Sequence, residues 1–358
     1  MTARNTAYRI IDRTERLLDG ALRSVRRLLG LSDPPRIMPM RGYGAPAGVR
    51  VLARVLEDRG SGSGGRWGKA FRRWATREMA GMRVEVRWRD RRWQGVTDEE
   101  GYLDVTVPAP DRAKEGWEHV KLRVAEARYP SVSHAARVLV TGPSHEFGVI
   151  SDIDDTVIDT GATNVLRLVR SFVYELPAEK QPFPGIDELY RALHAGPAGT
   201  SSNPVFYVSS SPMNLYEHLS ELFELSGLPE GPLLLRDWGF TKKGPSPDGG
   251  HQHKLEKVRS IFERTGDLRF VLIGDSGQHD PELYRTICEE HPRRVKAVAI
   301  RDVTPDVRDR EVAEIGRDIE ALGVPFAAAE RTDQLAEFFA ERGLLPSEAV
   351  EDVAREAA

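Results

Sequence analysis

Four places in this 358-residue chain bring carboxylates, hydroxyls or a lysine to the end of an apolar run or to the start of a helix. Phe147-Gly148-Val149-Ile150 runs into Ser151-Asp152-Ile153-Asp154-Asp155-Thr156, and Val205-Phe206-Tyr207-Val208 into Ser209-Ser210-Ser211. Lys254 opens a helical stretch, and the apolar run after it, Phe270–Ile273, leads into Gly274-Asp275-Ser276-Gly277-Gln278-His279-Asp280. Singly, each has a plain explanation: a solvated turn, a serine loop, a surface lysine, a tight turn with a helix cap. In this order they form a complete set for phosphoryl transfer. Asp152 and Asp275, with the Asp154 carbonyl, waters and a phosphate oxygen, make the octahedral oxygen site that Mg²⁺ prefers. A metal there neutralises the phosphate so that a carboxylate can attack it. Asp152 can then carry the phosphoryl group as an aspartyl-phosphate, dividing one hard displacement into two easier ones. Asp154 reaches the leaving-group oxygen as general acid and later activates water as base. Ser209 and Lys254, with Thr156 and Ser210 beside them, bind the remaining phosphoryl oxygens.

Such a set works only if a scaffold holds its parts together. From residue 143 onward, apolar runs alternate with helical segments near 162–176, 186–195, 213–227 and 253–265. Leu233–Leu235 and Val295–Ile300 are further strands, and the chain ends in amphipathic helices. That alternation predicts an α/β fold with a doubly wound parallel sheet, whose function sits at the carboxyl ends of the strands. The preceding hundred residues read differently. Gly48–Glu57, Met82–Trp88, Trp93–Thr97, Tyr102–Val107, His119–Val124 and Ala135–Val140 are short β-branched or alternating runs, with a hairpin-like connection at Thr97–Tyr102. They predict a small antiparallel β-sandwich. Within it, Arg66, Trp67, Lys69, Phe71, Arg72, Arg73, Trp74 and Arg77 interleave basic and aromatic residues, either as a helix capping the sandwich or as an interfacial contact. At the front, Ile10, Ile11, Leu17, Leu18, Leu22, Val25, Leu28 and Leu29 recur at helical spacing with six arginines between Arg9 and Arg27, until Pro34-Pro35. The expected division is an amphipathic basic helix over 1–35, a sandwich-like unit over 36–142 and the α/β unit over 143–358.

Charge is unevenly spread. The first 148 residues carry 28 Lys/Arg against 18 Asp/Glu, and the remainder 23 against 37. A basic front half suits an anionic lipid surface or nucleic acid, and an acidic rear half suits an enzyme that gathers cations. No stretch approaches the ~18 apolar residues of a spanning helix, and the first twenty residues lack a secretory signal pattern. Cys288 is the only cysteine, which excludes a disulfide framework or a cysteine metal site within one chain. The expected location is cytoplasmic, with peripheral contact at the inner membrane surface.

The four motifs resemble the haloacid dehalogenase (HAD) superfamily of phosphohydrolases, through Asp152, Asp154 and Thr156, then Ser209, then Lys254 (or Lys257 by one helical turn), then Asp275 and Asp280. The resemblance implies Asp152 as nucleophile, Asp154 as acid/base and Asp275 as metal ligand. By the same carry-over Asp280 orients metal-bound water or the lysine, so that Asp152, Asp154, Asp275 and Asp280 surround the Mg²⁺. Gly148–Thr156, Asn203–Pro212 and Ile273–Asp280 are similar to the actin-patch-associated phosphatidate phosphatase family and its bacterial relatives. That narrower likeness implies removal of phosphate from phosphatidate, a phosphorylated lipid at a membrane surface. Only about 48 residues separate Thr156 from the second strand, which leaves a minimal cap over the site and suits a bulky substrate. Asn164–Leu176, with Arg167 and Arg170, is either a rim to that site or plain scaffold. Three other readings stay open: a phosphoprotein or other bulky phosphorylated substrate, a membrane- or assembly-binding module with a vestigial site, and nucleic-acid binding through Arg66–Arg77, the last not expected. His251 and His253 read as surface or rim residues, and the role of His279 is open.

Overall fold

Branched and apolar side chains at every second position build the first half of the molecule. The computed structural model describes residues 34–58, 78–126, 129, 131–153, 183–236, 249–303 and 308–357. Outside the described residues lie the expected helix at 8–29, the basic aromatic stretch at 66–77, the helix near 162–176 with Arg167 and Arg170, and Asp154, Asp155 and Thr156. Strands β1 (Pro35–Ala45), β2 (Gly48–Glu57), β3 (Arg83–Trp88), β4 (Arg91–Val96), β5 (Tyr102–Val107), β6 (Gly116–Val124) and β7 (Ser133–Val140) form one sheet in the order β4-β3-β6-β7-β1-β2-β5. Alternation sends Val49, Val51, Ala53, Val55, Val84, Val86, Trp88, Val120 and Leu122 to one shared core. Each such side chain removed from water contributes about 1.5–3 kcal/mol.

This is one mixed sheet and not the expected antiparallel sandwich, for β1 pairs antiparallel with β2 but parallel with β7. The strand pattern at β1 is obscured by Pro35, Pro39, Gly42 and Gly44, which read as turn residues. The Thr97–Tyr102 connection is a tight turn, with the Asp98 amide donating to the Tyr102 carbonyl at 2.9 Å. It does not form a ladder hairpin, because β4 pairs with β3 and β5 with β2. Instead the sheet curls until its edges approach. A Cβ on Gly95 of β4 would lie 2.5 Å from side-chain carbons of Leu103 and Val105 on β5, so only glycine fits there.

The second half is a parallel sheet. Strands β8 (Gly148–Asp152), β9 (Val205–Pro212), β10 (Leu233–Arg236), β11 (Phe270–Asp275), β12 (Val295–Arg301) and β13 (Phe326–Ala329) lie in the order β10-β9-β8-β11-β12-β13. Helices α1 (Ile186–Ala195), α2 (Tyr216–Leu225), α6 (Thr332–Glu341) and α7 (Ser347–Glu356) cover one face. The other face is covered by α3 (Gly249–Arg264), α4 (Asp280–Glu290) and α5 (Asp309–Ala321). Burial on both faces explains the unbroken apolar runs, such as Phe270–Ile273, that mark these strands in the sequence. β13, Phe-Ala-Ala-Ala, is too short and small to stand out from the flanking amphipathic helices. Helix α3 begins at Gly249, so Lys254 lies in its second turn and does not open it; the glycines at its start read as loop.

The two halves share their cores. Met38 and Met40 of β1 enter the cluster under α1 and α2, while Tyr43 and Leu139 enter the one under α3 and α4. The Tyr43 ring meets Phe206 edge to face at 5.4 Å. Around this contact Arg41 and Arg137 both pair with Glu230, and Arg36 with Glu217.

Candidate functional site

Strand β8 runs into Ser151-Asp152, and its neighbours are β9 on one side and β11 on the other. The chain winds outward through β9 and β10, then returns to β11 across β8. Strand order reverses at the β8–β11 boundary, where an open α/β sheet leaves a crevice beyond its carboxyl ends. Asp152 ends β8 and Asp275 ends β11, so each flanks that crevice; both are buried.

Lys254 reaches the same point from α3. Its Nζ lies 2.7 Å from Asp152 Oδ1 and 2.9 Å from Asp280 Oδ1, and it donates to Gln278 Oε1 at 3.1 Å. Burial disfavours the ammonium charge, yet Asp152, Asp280 and Asp275 together hold its pKa well above the usual lysine range. Lys257, the alternative one turn along, is only half buried and instead lies in the field of Asp104. Asp280, at the start of α4, accepts from Lys254 on one oxygen and from the Asp275 amide on the other, at 3.3 Å. This approach depends on Gly274, where a Cβ would stand 2.7 Å from both Cβ and Oδ2 of Asp280.

Among the described residues, Asp152, Asp275 and Asp280 form the one group of carboxylates with ligand atoms within 4.8 Å of one another. All three are oxygen donors, the type a hard cation prefers. Among the described residues this group sets three carboxylates around one ammonium, a donor set that a divalent cation would fit.

Ser209, Ser210 and Ser211 form the end of β9. Pairing with β10 is regular to Val208↔Leu234 and resumes out of step at Pro212↔Arg236, so the serines occupy an irregularity in the strand. Ser209 and Ser211 are buried, Ser210 is half-exposed, and Ser209 Oγ accepts the Ser211 amide at 2.9 Å. His253 faces the Leu235 carbonyl, and His279, largely exposed, has its Nδ1 3.6 Å from a Glu282 carboxylate oxygen, outside the buried cluster. The His251 side chain lies outside the described residues.

Sequence reasoning gave no role to Gln278. Its backbone N–H donates to Asp275 Oδ1 at 2.9 Å, and its side-chain Nε2 lies 3.4 Å from Asp152 Oδ2 and 3.3 Å from Asp275 Oδ2. It therefore ties both strand-end carboxylates and the lysine together. Arg308 was missed entirely. It donates to the carbonyls of Ser276 and Gln278 while pairing with Glu282 and Glu311, which fixes the loop between β11 and α4. Ser276 Oγ donates to Asp302 at 2.7 Å and accepts the Val303 amide. Gln278 stood inside a recognised motif and could have been found there; nothing thirty residues away marks Arg308.

Residues 147–302 match the family model described as phosphatidate phosphatase APP1, catalytic domain. The match spans β8 to β12 and holds Asp152, Ser209, Lys254, Asp275 and Asp280. The chain is 28% identical over 185 residues to phosphatidate phosphatase APP1 of Saccharomyces cerevisiae, covering 50% of this chain and 31% of that protein. It is 31% identical over 163 residues to the uncharacterized protein C29B5.04c of Schizosaccharomyces pombe, covering 44% and 25%. It thus spans a third or less of the length of these curated relatives. Among solved structures, a carbohydrate acetylesterase from Xanthomonas citri covers 90% of this chain and 73% of its own, at 11% identity and a TM-score of 0.32, too low to carry an argument. The segment that builds the buried acidic cluster is therefore similar to the catalytic domain of phosphatidate phosphatase APP1.

Proposed function

We propose that this chain is a Mg²⁺-dependent phosphatidate phosphatase of the HAD type, with Asp152 as its nucleophile. The observation that carries the reading is the buried Asp152–Lys254–Asp280–Asp275 cluster at the sheet's switch point, inside the segment similar to a phosphatidate phosphatase catalytic domain. A carboxylate attacking a phosphate dianion faces like-charge repulsion of about 4 kcal/mol per charge pair at 4 Å and an effective dielectric of 20. Lys254 counters part of it. When bound, Mg²⁺ would supply further positive charge to the phosphoryl oxygens, with Asp152 and Asp275 to hold it.

In this reading an Asp152 oxygen attacks phosphorus and the bond to the glycerol oxygen breaks. Asp154, two residues on, gives the leaving oxygen its proton. It then takes a proton from water, which attacks the aspartyl-phosphate and frees inorganic phosphate and Asp152. Ser209 and Lys254 bind phosphoryl oxygens, and Asp280 acts by orienting Lys254 and the Asp275 backbone. Among the described residues no helix is long and apolar enough to cross a membrane.

Phosphate release from short-chain phosphatidate, with and without Mg²⁺, tests the proposal against Asp152→Asn. Magnesium-dependent release by the wild type, lost in the variant, is the expected result. Turnover of an aryl phosphate that needs Asp152, with none of phosphatidate, would keep the phosphatase and remove the lipid. Release undiminished in Asp152→Asn would overturn the nucleophile.

A further inference from the structure

On the outward face of the seven-stranded sheet, register sets three cations side by side. Arg92 of β4 lies opposite Arg87 of β3, and Arg87 opposite Lys121 of β6; the row ends at Ala135 of β7. All three cations are exposed. Residues directly opposite on antiparallel strands have Cβ atoms about 4.5–5.5 Å apart, and like charges there are destabilising. Two acids on the same strands make their direct bonds elsewhere: Glu85 holds Arg123 at 3.1 Å and reaches Arg92 and Arg87 only through its field, and Glu118 holds Arg89 at 2.6 Å. Beside the row a groove of about 320 Å³ is lined by Arg87, Arg89, His119, Lys121, Ser133 and His134, with Val120 and Ala135. Among the described residues that line it, none is acidic. Nor is any a Phe, Tyr or Trp on which a nucleic-acid base could stack.

A like-charge row that costs stability in the free protein, and to which no carboxylate among the described residues is bonded directly, fits an external anion. The row is linear, exposed and carried on a sheet face, which matches an extended negative surface better than an enclosed ligand. We propose that this face, centred on Arg92, Arg87 and Lys121, docks the chain on a membrane bearing anionic phospholipid headgroups. The choice of a membrane rests on the lipid substrate proposed above, while the charge complementarity does not.

Vesicle co-sedimentation tests it, using phosphatidylcholine alone and phosphatidylcholine with an equal part of phosphatidylserine, which is not a phosphomonoester. The full chain is expected to partition onto the serine-containing vesicles only, and less as salt is raised. Each cation near such a surface contributes roughly five-fold in binding, so the triple variant Arg87→Gln/Arg92→Gln/Lys121→Gln should partition on the order of 100-fold more weakly. Its melting temperature should equal or exceed the wild type's, since a like-charge row is removed, and its turnover of monomeric short-chain phosphatidate should be unchanged. Unaltered partitioning of the variant overturns the proposal, as does wild-type binding to single-stranded RNA with none to anionic vesicles. Docking by a chain that hydrolyses no phosphatidate would instead defeat the substrate reading and leave this surface standing.

Discussion

Lys254 is held between Asp152 and Asp280 in a buried place, so the ammonium and the carboxylates depend on one another. Removing one member of a buried pair costs about 3–5 kcal/mol, because the partner stays buried without its counter-charge. Lys254→Met is therefore expected to lower the unfolding free energy by about that amount. It should also reduce turnover by roughly 10²–10³, the range for losing one preorganised stabilising group. Denaturant melts and steady-state phosphate release check both, and a variant that melts like the wild type would refute the coupling. Gly274 tests the packing on the other side. Gly274→Ala places a methyl 2.7 Å from the Asp280 side chain, and overpacking of this kind costs about 1–3 kcal/mol. Because Asp280 must move, the variant should lose turnover more than its loss of stability explains. Equal activity at a temperature where both proteins are folded would count against Asp280 as the orienting group. The strand-end carboxylates, the serines and the lysine were all legible in the sequence, since each follows an apolar run or sits on a helix. Arg308 was not, because its bonds go to backbone carbonyls far away in sequence.

Helix α4 joins the site to the core, and its buried Cys288 reports on the fold at that level. Burial pushes the Cys288 thiol up to about 12. A raised folded pKa favours the native state fully below the unfolded value of about 8.5, and that contribution is lost as pH rises through the folded value. Between about pH 8.5 and 12 stability should therefore fall in part through this thiol, and Cys288→Ala should flatten that part of the curve. At neutral pH a thiol reagent should label the chain only after denaturant is added; rapid labelling of the native protein would contradict the burial. Elements differed in how plainly the sequence announced them. Ile186–Ala195 reads as a helix from its spacing and forms one over the same residues. The turn and glycine residues of β1 hid an eleven-residue strand, and with it the parallel β1–β7 pairing that turns a sandwich into one curled sheet. Such pairing depends on contacts nearly a hundred residues apart, which local patterning does not record.

The whole molecule couples two sheets through Met38, Met40 and Tyr43, which belong to the cores of the α/β half. Truncating a buried aromatic costs about 3–5 kcal/mol. Tyr43→Ala should thus shift the unfolding of both halves together, and circular dichroism and site-directed fluorescence should give one common midpoint. Two separate midpoints in the wild type would show that the halves fold independently. In the proposed reading labour is divided between the halves: the acidic α/β half holds the buried carboxylate cluster, and the curled sheet presents Arg92, Arg87 and Lys121 outward. The central claim remains that Asp152 takes up the phosphoryl group. It is tested most directly by mixing the chain with short-chain phosphatidate and Mg²⁺, quenching in acid within a turnover, and mapping covalent phosphate by peptide mass spectrometry, with Asp154→Asn included to slow hydrolysis. The account predicts phosphate on Asp152, accumulating in Asp154→Asn and absent from Asp152→Asn. Turnover in the wild type with no adduct on Asp152 in either protein, or with the adduct on another residue, would contradict it.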